Sequence, residues 1–194
     1  INEYSNLILL PNELSNFTSL TTLDISRYSR LTLLPHELNN VKTLTILNMK
    51  KSSSLRSLPN ELDNLTFLTT LDTNKYSSLT SLPNELDNLT SLNILNKIWC
   101  SSLASLPNEL DTLISLITFG IDRCLRLSLL NKFDNLISLT TLDISKYSNL
   151  TSLPNELGNF TSLTTLNIRE FSSMILLLNK LDQFTSLPTL YIRE

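Results

Sequence analysis

One stretch of sequence, residues 20–43, reads LTTLDISRYSRLTLLPHELNNVKT and decides the fold. The same pattern returns every 24 residues, and its proline recurs at equal spacing at Pro11, Pro35, Pro59, Pro83 and Pro107. One later unit is a single residue short, after which the pattern is restored. The units begin at Leu20, Leu44, Leu68, Leu92, Leu116, Leu139, Leu163 and Leu187. A fixed period of this length indicates a stacked repeat architecture.

The composition excludes several classes of protein. The chain has 194 residues, of which 41% are hydrophobic and 17% are charged, and its net charge is −3. A chain this apolar with a low net charge is not intrinsically disordered. It lacks the basic excess that favours nucleic-acid binding, so no specific nucleic-acid partner is predicted. The longest unbroken apolar run, Met174 to Leu178, is far short of the roughly 20 residues of a membrane helix, so no transmembrane segment is predicted.

The repeat has a mechanical interpretation when positions are counted from 1 at the first leucine of each unit. Apolar residues at positions 1, 4 and 6 include an alternating pair, which is typical of a short strand with one buried face. Pro35 opens a stretch that ends at Asn40 and places Leu38 three residues before Val41, which predicts a short helix or turn. No unit can bury its apolar side alone, so the units must stack and their strands must form a parallel sheet.

The pattern LxxLxIxx(Y/C)xxLxxLPxELxxLxx is similar to the leucine-rich repeat superfamily, and it covers the whole chain. Within that superfamily the cadence CxxLxxLPxxL looks like the repeats of intracellular plant resistance receptors, although bacterial and protist repeats can share it. The resemblance implies an α/β fold, a curved right-handed solenoid with a parallel β-sheet on the concave face and short helices or turns on the convex face. It also implies that the ligand is a protein.

We expect residues 1–194 to form one leucine-rich repeat domain of about eight units, partial at both ends. Solenoids usually carry polar capping units, and none is evident in the sequence near Ile1 or Glu194. The expectation is therefore that the chain is a fragment of a longer repeat array.

The sequence has few residues that could support catalysis or bind a metal ion. His36 is the only histidine, and its place in the Pro-x-Glu-Leu phrase predicts a solvated residue on the convex turn and no catalytic triad. Two cysteines and one distant histidine are too few for a closed zinc site. The two isolated glycines cannot form a phosphate-binding loop. We therefore predict that the protein is not an enzyme and has no cofactor or metal.

The compartment stays open on the sequence alone. Cys100 and Cys124 occupy position 9 of adjacent units, where other units have Tyr or Phe, so we expect buried free thiols. So few cysteines slightly favour a reducing compartment such as the cytoplasm. Five Asn-x-Thr sequons leave an extracellular location open, although duplication of the repeat can copy such a motif; they are at Asn16, Asn64, Asn88, Asn149 and Asn159.

Charged side chains mark the candidate binding surface. Strand positions 3, 5 and 7, with position 8 at the exit, are expected to be exposed on the inner face. The basic residues concentrate at the ends of the strands, whereas the acidic residues concentrate in the Pro-x-Glu-Leu turns. The molecule should therefore have a basic strand edge and an acidic convex side. Such a surface suits a partner protein with an acidic surface, and Trp99 is the best candidate for a central anchor. The candidate ligand-binding residues are Asp24, Arg27, Lys51, Asp72, Lys75, Trp99, Arg123, Asp143, Lys146 and Arg169.

Two residues depart from the pattern at position 6, where the core requires an apolar side chain. These are Thr73 and Lys97. A buried unpaired lysine would cost several kcal/mol, so a local shift of the strand is predicted that lets Ile98 or Trp99 take its place.

Two other functions compete with protein recognition. An uncapped stack exposes apolar ends and could associate end to end as a structural filament. Threonines at positions 2 and 3 could form hydroxyl rows that bind ice or carbohydrate, although Ile46 and Ile94 interrupt the row at position 3.

Overall fold

The computed structural model describes residues 6–58, 60–74, 78–83, 86, 88–99, 101–103, 106, 107, 110–122, 135–145, 160–170 and 187–193. Within these ranges each repeat supplies one strand to a single sheet. The strands are β1 (Thr22–Asp24), β2 (Ile46–Asn48), β3 (Thr70–Asp72), β4 (Ile94–Trp99), β5 (Thr118–Asp122), β6 (Thr141–Ser145), β7 (Thr165–Arg169) and β8 (Thr189–Arg193).

The sheet is parallel, and its spatial order from β1 to β8 is the order of the chain. Equivalent positions of successive units face one another, as Leu23, Leu47 and Leu71 do across the first three strands. The short unit does not disturb this register, because Thr118 of β5 still pairs with Thr141 of β6. The missing residue is therefore absorbed between these strands and not within them. The predicted curved right-handed solenoid with a parallel sheet is confirmed.

One face of the sheet lies on the hydrophobic core, as the alternation predicted. In the second unit Leu44, Leu47 and Met49, at positions 1, 4 and 6, have no solvent exposure. The later positions of a unit close the other side of the core, and Leu38 and Val41 are likewise fully buried. Each buried leucine meets its own equivalents in the units above and below, so the core runs along the stack.

The convex side carries short 3-10 helices, where the sequence predicted a helix or turn. In the described residues these are Asn12–Asn16, His36–Asn40, Asn60–Asn64 and Leu110–Thr112. Proline precedes the helix as its N-cap: Pro35 is extended, with φ −70° and ψ 144°, and its carbonyl accepts from the Leu38 N–H at 3.1 Å. The Val41 N–H then donates to the Leu38 carbonyl, and the Leu44 N–H donates to the Val41 carbonyl, each three residues back. The helix thus leads directly into the next strand.

The departure at Lys97 is a bulge in β4. Leu95 pairs with Phe119, but the next partners are Ile98 with Ile121 and Trp99 with Asp122. Two residues of β4, Asn96 and Lys97, therefore stand opposite one residue of β5, which is a β-bulge. The register gives Ile98 the place at position 6 that Lys97 would otherwise hold, as the sequence predicted.

Thr73 keeps its place at position 6 and is fully buried. Its hydroxyl donates to the carbonyl of Asn96 at 3.4 Å, so the polar atom is satisfied within the sheet. Ser52, at the packing position held by Tyr28 in the unit before, is fully buried too and donates to the Ile25 carbonyl at 2.9 Å. In both of these described cases, a carbonyl of a neighbouring unit accepts the hydrogen bond of the buried hydroxyl.

We expect Leu71→Ala and Leu142→Ala each to lower the free energy of unfolding by about 2–5 kcal/mol, because each side chain is at most 1% exposed and packs against both neighbouring units. Chemical denaturation would measure the loss. The matched control is Leu33→Ala, at a leucine that is 56% exposed, where a loss below about 1 kcal/mol is expected. Equal losses at the buried and the exposed sites would contradict the assignment of the core.

Candidate functional site

A ladder of alternating Asp and Asn side chains runs across the inner face at position 5. In parallel register these side chains stand about 4.8 Å from their neighbours, so two adjacent carboxylates would repel each other. An amide between them supplies the missing donor, and the same bond recurs three times: Asn48 Nδ2 to Asp24 Oδ2 at 3.3 Å, Asn96 Nδ2 to Asp72 Oδ2 at 3.4 Å, and Asn167 Nδ2 to Asp143 Oδ2 at 3.0 Å. This Asp/Asn ladder was not predicted, although reading position 5 down the repeats shows the alternation.

In three ladder residues, the side-chain oxygen that is not used between strands accepts from the backbone at the end of its own strand. Asp24 Oδ1 accepts from the backbone N–H of Ser26 at 2.9 Å, and Asp72 Oδ1 accepts from that of Asn74 at 3.1 Å. The amide does the same, since Asn48 Oδ1 accepts from the Lys50 N–H at 3.2 Å. These are local turns of the kind that Asp and Asn favour.

The ladder changes what the three predicted aspartates offer a ligand. Asp24 is exposed, but Asp72 and Asp143 are only 6% and 9% exposed, which differs from the expected open column. The physical reason is that each is a central carboxylate with a strand on either side: Asp72 is bonded by Asn96 and Lys50, and Asp143 by Asn167. Asp143 also accepts from the Ser145 hydroxyl. Two of the three carboxylates are thus largely committed within the sheet.

Basic side chains at position 7 bind to this ladder. Lys50 Nζ lies 2.9 Å from Asp72 Oδ2, and its side chain is still 45% exposed. On β7, Arg169 Nε donates to Asn167 Oδ1 at 2.9 Å, and Arg169 is exposed. Arg193 of β8 pairs in register with Arg169 and is exposed as well. The ion pair of Asp72 therefore comes from position 7 of the preceding unit.

Position 8 forms the rim of the inner face through a left-handed turn. Arg27, Lys51 and Glu170 have φ of 68°, 63° and 51°. Each backbone N–H still bonds to the next unit; that of Lys51, for example, donates to the Asn74 carbonyl at 3.0 Å. The turn ends the parallel ladder and leaves the side chains of Arg27 and Lys51 exposed side by side in adjacent units. Arg27 and Lys51 are the described basic residues of position 8, at the strand edge that the sequence predicted to be basic.

The structure describes the other residues predicted for this edge only in part. Lys75, Arg123 and Lys146 lie outside the described residues, as do Cys100 and Cys124. For Trp99 the backbone alone is described, and the bulge in β4 changes its place: it pairs with Asp122, a position 7 residue. Trp99 therefore does not continue the position 8 column, to which the sequence assigned it. The bulge stands opposite Gly120, which is buried. The bulge and the glycine at position 5 therefore occur at the same place in the sheet.

Hydroxyls at position 2 do not form a free array. The side chains of Thr45 and Thr69 donate to the carbonyls of Thr21 and Thr45 at 2.9 and 3.1 Å. Because a hydroxyl has one proton, these groups are committed as donors to the protein, which weakens the interpretation as an ice-binding surface. Position 3 does contain an in-register run in the later strands, formed by Thr118, Thr141, Thr165 and Thr189.

The described residues contain no group of three or more His, Cys, Asp and Glu side chains placed to hold a metal ion. His36 is the first residue of its 3-10 helix and is exposed, as the sequence predicted. The sequon asparagines Asn16, Asn64 and Asn88 are exposed, each near the end of a convex turn. None of the helices in the described part of the chain has the length and hydropathy of a membrane span.

The ladder predicts that Asn48→Asp destabilises the protein by about 1–2 kcal/mol at neutral pH, because three adjacent carboxylates would then stand in register. The introduced group is stabilised when protonated, so the difference from the wild type should shrink as the pH falls toward about 4. Urea denaturation at both pH values would measure it. The control is Asn40→Asp on an exposed convex residue, and an equal loss there would contradict the ladder.

The left-handed turn predicts opposite effects for two substitutions at one residue. Lys51→Gly should raise the free energy of unfolding by about 0.5–1 kcal/mol, since glycine adopts positive φ without a steric cost. Lys51→Val should lower it by about 1 kcal/mol or more, because a β-branched residue is an outlier there. Thermal or chemical denaturation would measure both. The same sign for both variants would show that the left-handed geometry at Lys51 is wrong.

No family model matches the chain, and no curated protein matches it. Solved structures do match. A leucine-rich repeat protein of Leptospira interrogans superimposes with a TM-score of 0.74 at 22% identity, covering 98% of this chain and 53% of that one. TLR13 gives 0.76 at 24% identity, covering 94% and 26%, and the plant peptide hormone receptor RGFR1 gives 0.63 at 22% identity, covering 84% and 30%. The chain thus spans about half of the first protein and less than a third of the others. With its single sheet of in-register repeats, it has the leucine-rich repeat fold.

Proposed function

We propose that the protein is a non-catalytic recognition module that binds a partner protein with an acidic surface through its inner strand face. The observation that carries this proposal is the unequal exposure of opposite charges on that face. The Asp72 and Asp143 carboxylates are buried in the Asp/Asn ladder, while Arg27, Lys51 and Arg169 are exposed. Asp24 and Glu170 are exposed on this face as well, but Arg193 adds to the basic side, so the charge available to a partner is mainly positive.

The sheet supports this charge with a regular scaffold. Neighbouring strands hold equivalent side chains at about 4.8 Å, so that basic groups of adjacent units reinforce one another's field. Arg27 with Lys51 at one end, and Arg169 with Arg193 at the other, are pairs of this kind. Such a face would accelerate association with an acidic surface, and the rate would fall with added salt.

Four acidic residues outside the ladder lie on the opposite side. Glu13, Glu37, Asp63 and Asp111 belong to the convex 3-10 helices. A net charge of −3 therefore conceals a polarised molecule, in which only the strand side favours an acidic partner.

Proteins of the same fold lend the proposal general support. RGFR1 was solved in complex with RGF2, and TLR13 was solved in complex with ssRNA13. Binding of macromolecular ligands is thus compatible with this scaffold. The charge distribution described above, and not these likenesses, selects an acidic protein surface as the ligand here.

A charge-reversal pair tests the face. The double variant Arg27→Glu with Lys51→Glu should abolish affinity capture of the partner from the source organism, because it makes the rim acidic. Wild-type capture should weaken strongly as salt is raised from 50 to about 300 mM. The captured protein would be identified by mass spectrometry and its association rate measured with purified components.

The matched control is Arg30→Glu with Lys42→Glu, which changes the charge equally at exposed residues away from the inner face. We expect this control to retain binding. If the inner-face variant binds as well as the wild type while the control does not, the proposed face is wrong. A separate Trp99→Ala variant would show whether this residue acts as an anchor.

A further inference from the structure

A groove lies on the flank of the solenoid, in the connections that lead from each strand to the next 3-10 helix. It crosses three consecutive units and has a volume of about 650 Å³, which is within the usual range for small-molecule sites. Its polar lining comes from Thr32, Ser53, Ser54, Arg56, Ser57 and Ser78. These residues are at positions 10 to 14 of their units, away from the inner face.

Arg56 is the one cation in this lining. It is at position 13, where the neighbouring units have Thr32 and Thr80, so the repeat itself does not require an arginine there. Its backbone carbonyl accepts from the Thr80 N–H at 3.2 Å, which holds its strand-like connection in register, while its side chain is exposed. None of the described residues that line the groove is acidic, so the guanidinium has no countercharge among them.

The hydroxyls around Arg56 have a defined polarity. The side chain of Thr32 donates to the Ile8 carbonyl at 3.4 Å, and those of Ser54 and Ser78 donate to the carbonyls of Ser29 and Ser53. Each hydroxyl has a single proton, so once that proton is used only its acceptor lone pairs are left for a ligand. The groove thus combines one strong cationic donor with three hydroxyl oxygens that can only accept, beside the hydroxyls of Ser53 and Ser57, which can donate or accept.

We propose that this groove binds an acidic saccharide, a sugar that carries a carboxylate. The carboxylate would bond to the planar guanidinium of Arg56, which matches it in a two-pronged geometry. The hydroxyls of the sugar would donate to the oxygens of Thr32, Ser54 and Ser78. Leu33 also lines the groove, is 56% exposed and offers an apolar surface for the C–H face of the ring.

The same lining disfavours simpler ligands. A bare carboxylate has no protons to give to the three acceptor hydroxyls, and inorganic phosphate has at most two. A neutral sugar has donors but leaves the Arg56 charge without a partner. A molecule with both an anionic group and several hydroxyls satisfies Arg56 and the three acceptor hydroxyls together, and the Ser53 and Ser57 hydroxyls can adapt to it.

The test follows the resonances of uniformly 15N-labelled protein during titration with four probes. D-glucuronate should shift the Arg56 Nε–Hε signal and the amides of the groove at millimolar concentration. Glucose, acetate and inorganic phosphate should each bind at least about tenfold more weakly, because each supplies only part of the required chemistry. Equal binding of acetate or phosphate, or of glucose, would overturn the saccharide assignment.

Variants localise the effect. Arg56→Gln should weaken glucuronate binding by about tenfold or more, and since the residue is exposed the fold should survive, as circular dichroism would check. The control Lys42→Gln removes an exposed cation beyond the convex helix His36–Asn40, outside the groove, and should leave glucuronate binding unchanged. Undiminished binding to Arg56→Gln, or no binding of glucuronate to the wild type at tens of millimolar, would refute the proposal. Either result would leave recognition at the inner face untouched, because the groove does not include it.

Discussion

Every part of this structure depends on one constraint: each residue of the sheet packs against its own equivalent one repeat away. Leu23, Leu47 and Leu71 stand in line because parallel strands pair in register at about 4.8 Å. An apolar side chain repeated at such a position buries itself against its copies. A charged side chain repeated there meets like charge. The repeat therefore tolerates identical leucines without limit, but not identical carboxylates.

The polar positions show how the chain meets this constraint. At position 5 the alternation of Asp with Asn turns a repulsive column into a hydrogen-bonded ladder, and Lys50 adds a positive charge 2.9 Å from Asp72. At position 8 lysine and arginine can repeat, because the left-handed turn carries their side chains to the exposed rim, where water screens them. Thr73 is tolerated in the core because Asn96 offers its carbonyl.

The same constraint separates the two surfaces that we assign to ligands. On the inner face, burial of Asp72 and Asp143 leaves basic side chains as the majority of the accessible charges. On the flank, three hydroxyls that bond to the carbonyl of the preceding unit are left as acceptors near Arg56. In both places, the bonds that hold neighbouring units together decide which chemistry is left for a partner.

The 24-residue period by itself determined the parallel solenoid, the buried positions 1, 4 and 6, the convex turns and the bulge near Lys97, because these follow from where apolar residues recur. Only the tertiary structure decided which polar side chains are available. Contacts between units decide the burial of Asp72 and the place of Trp99 opposite Asp122. They also decide where the hydroxyl protons of Ser54 and Ser78 are donated. A sequence pattern gives the spacing of such groups along the chain, whereas a hydrogen bond depends on distances and angles between atoms of different repeats.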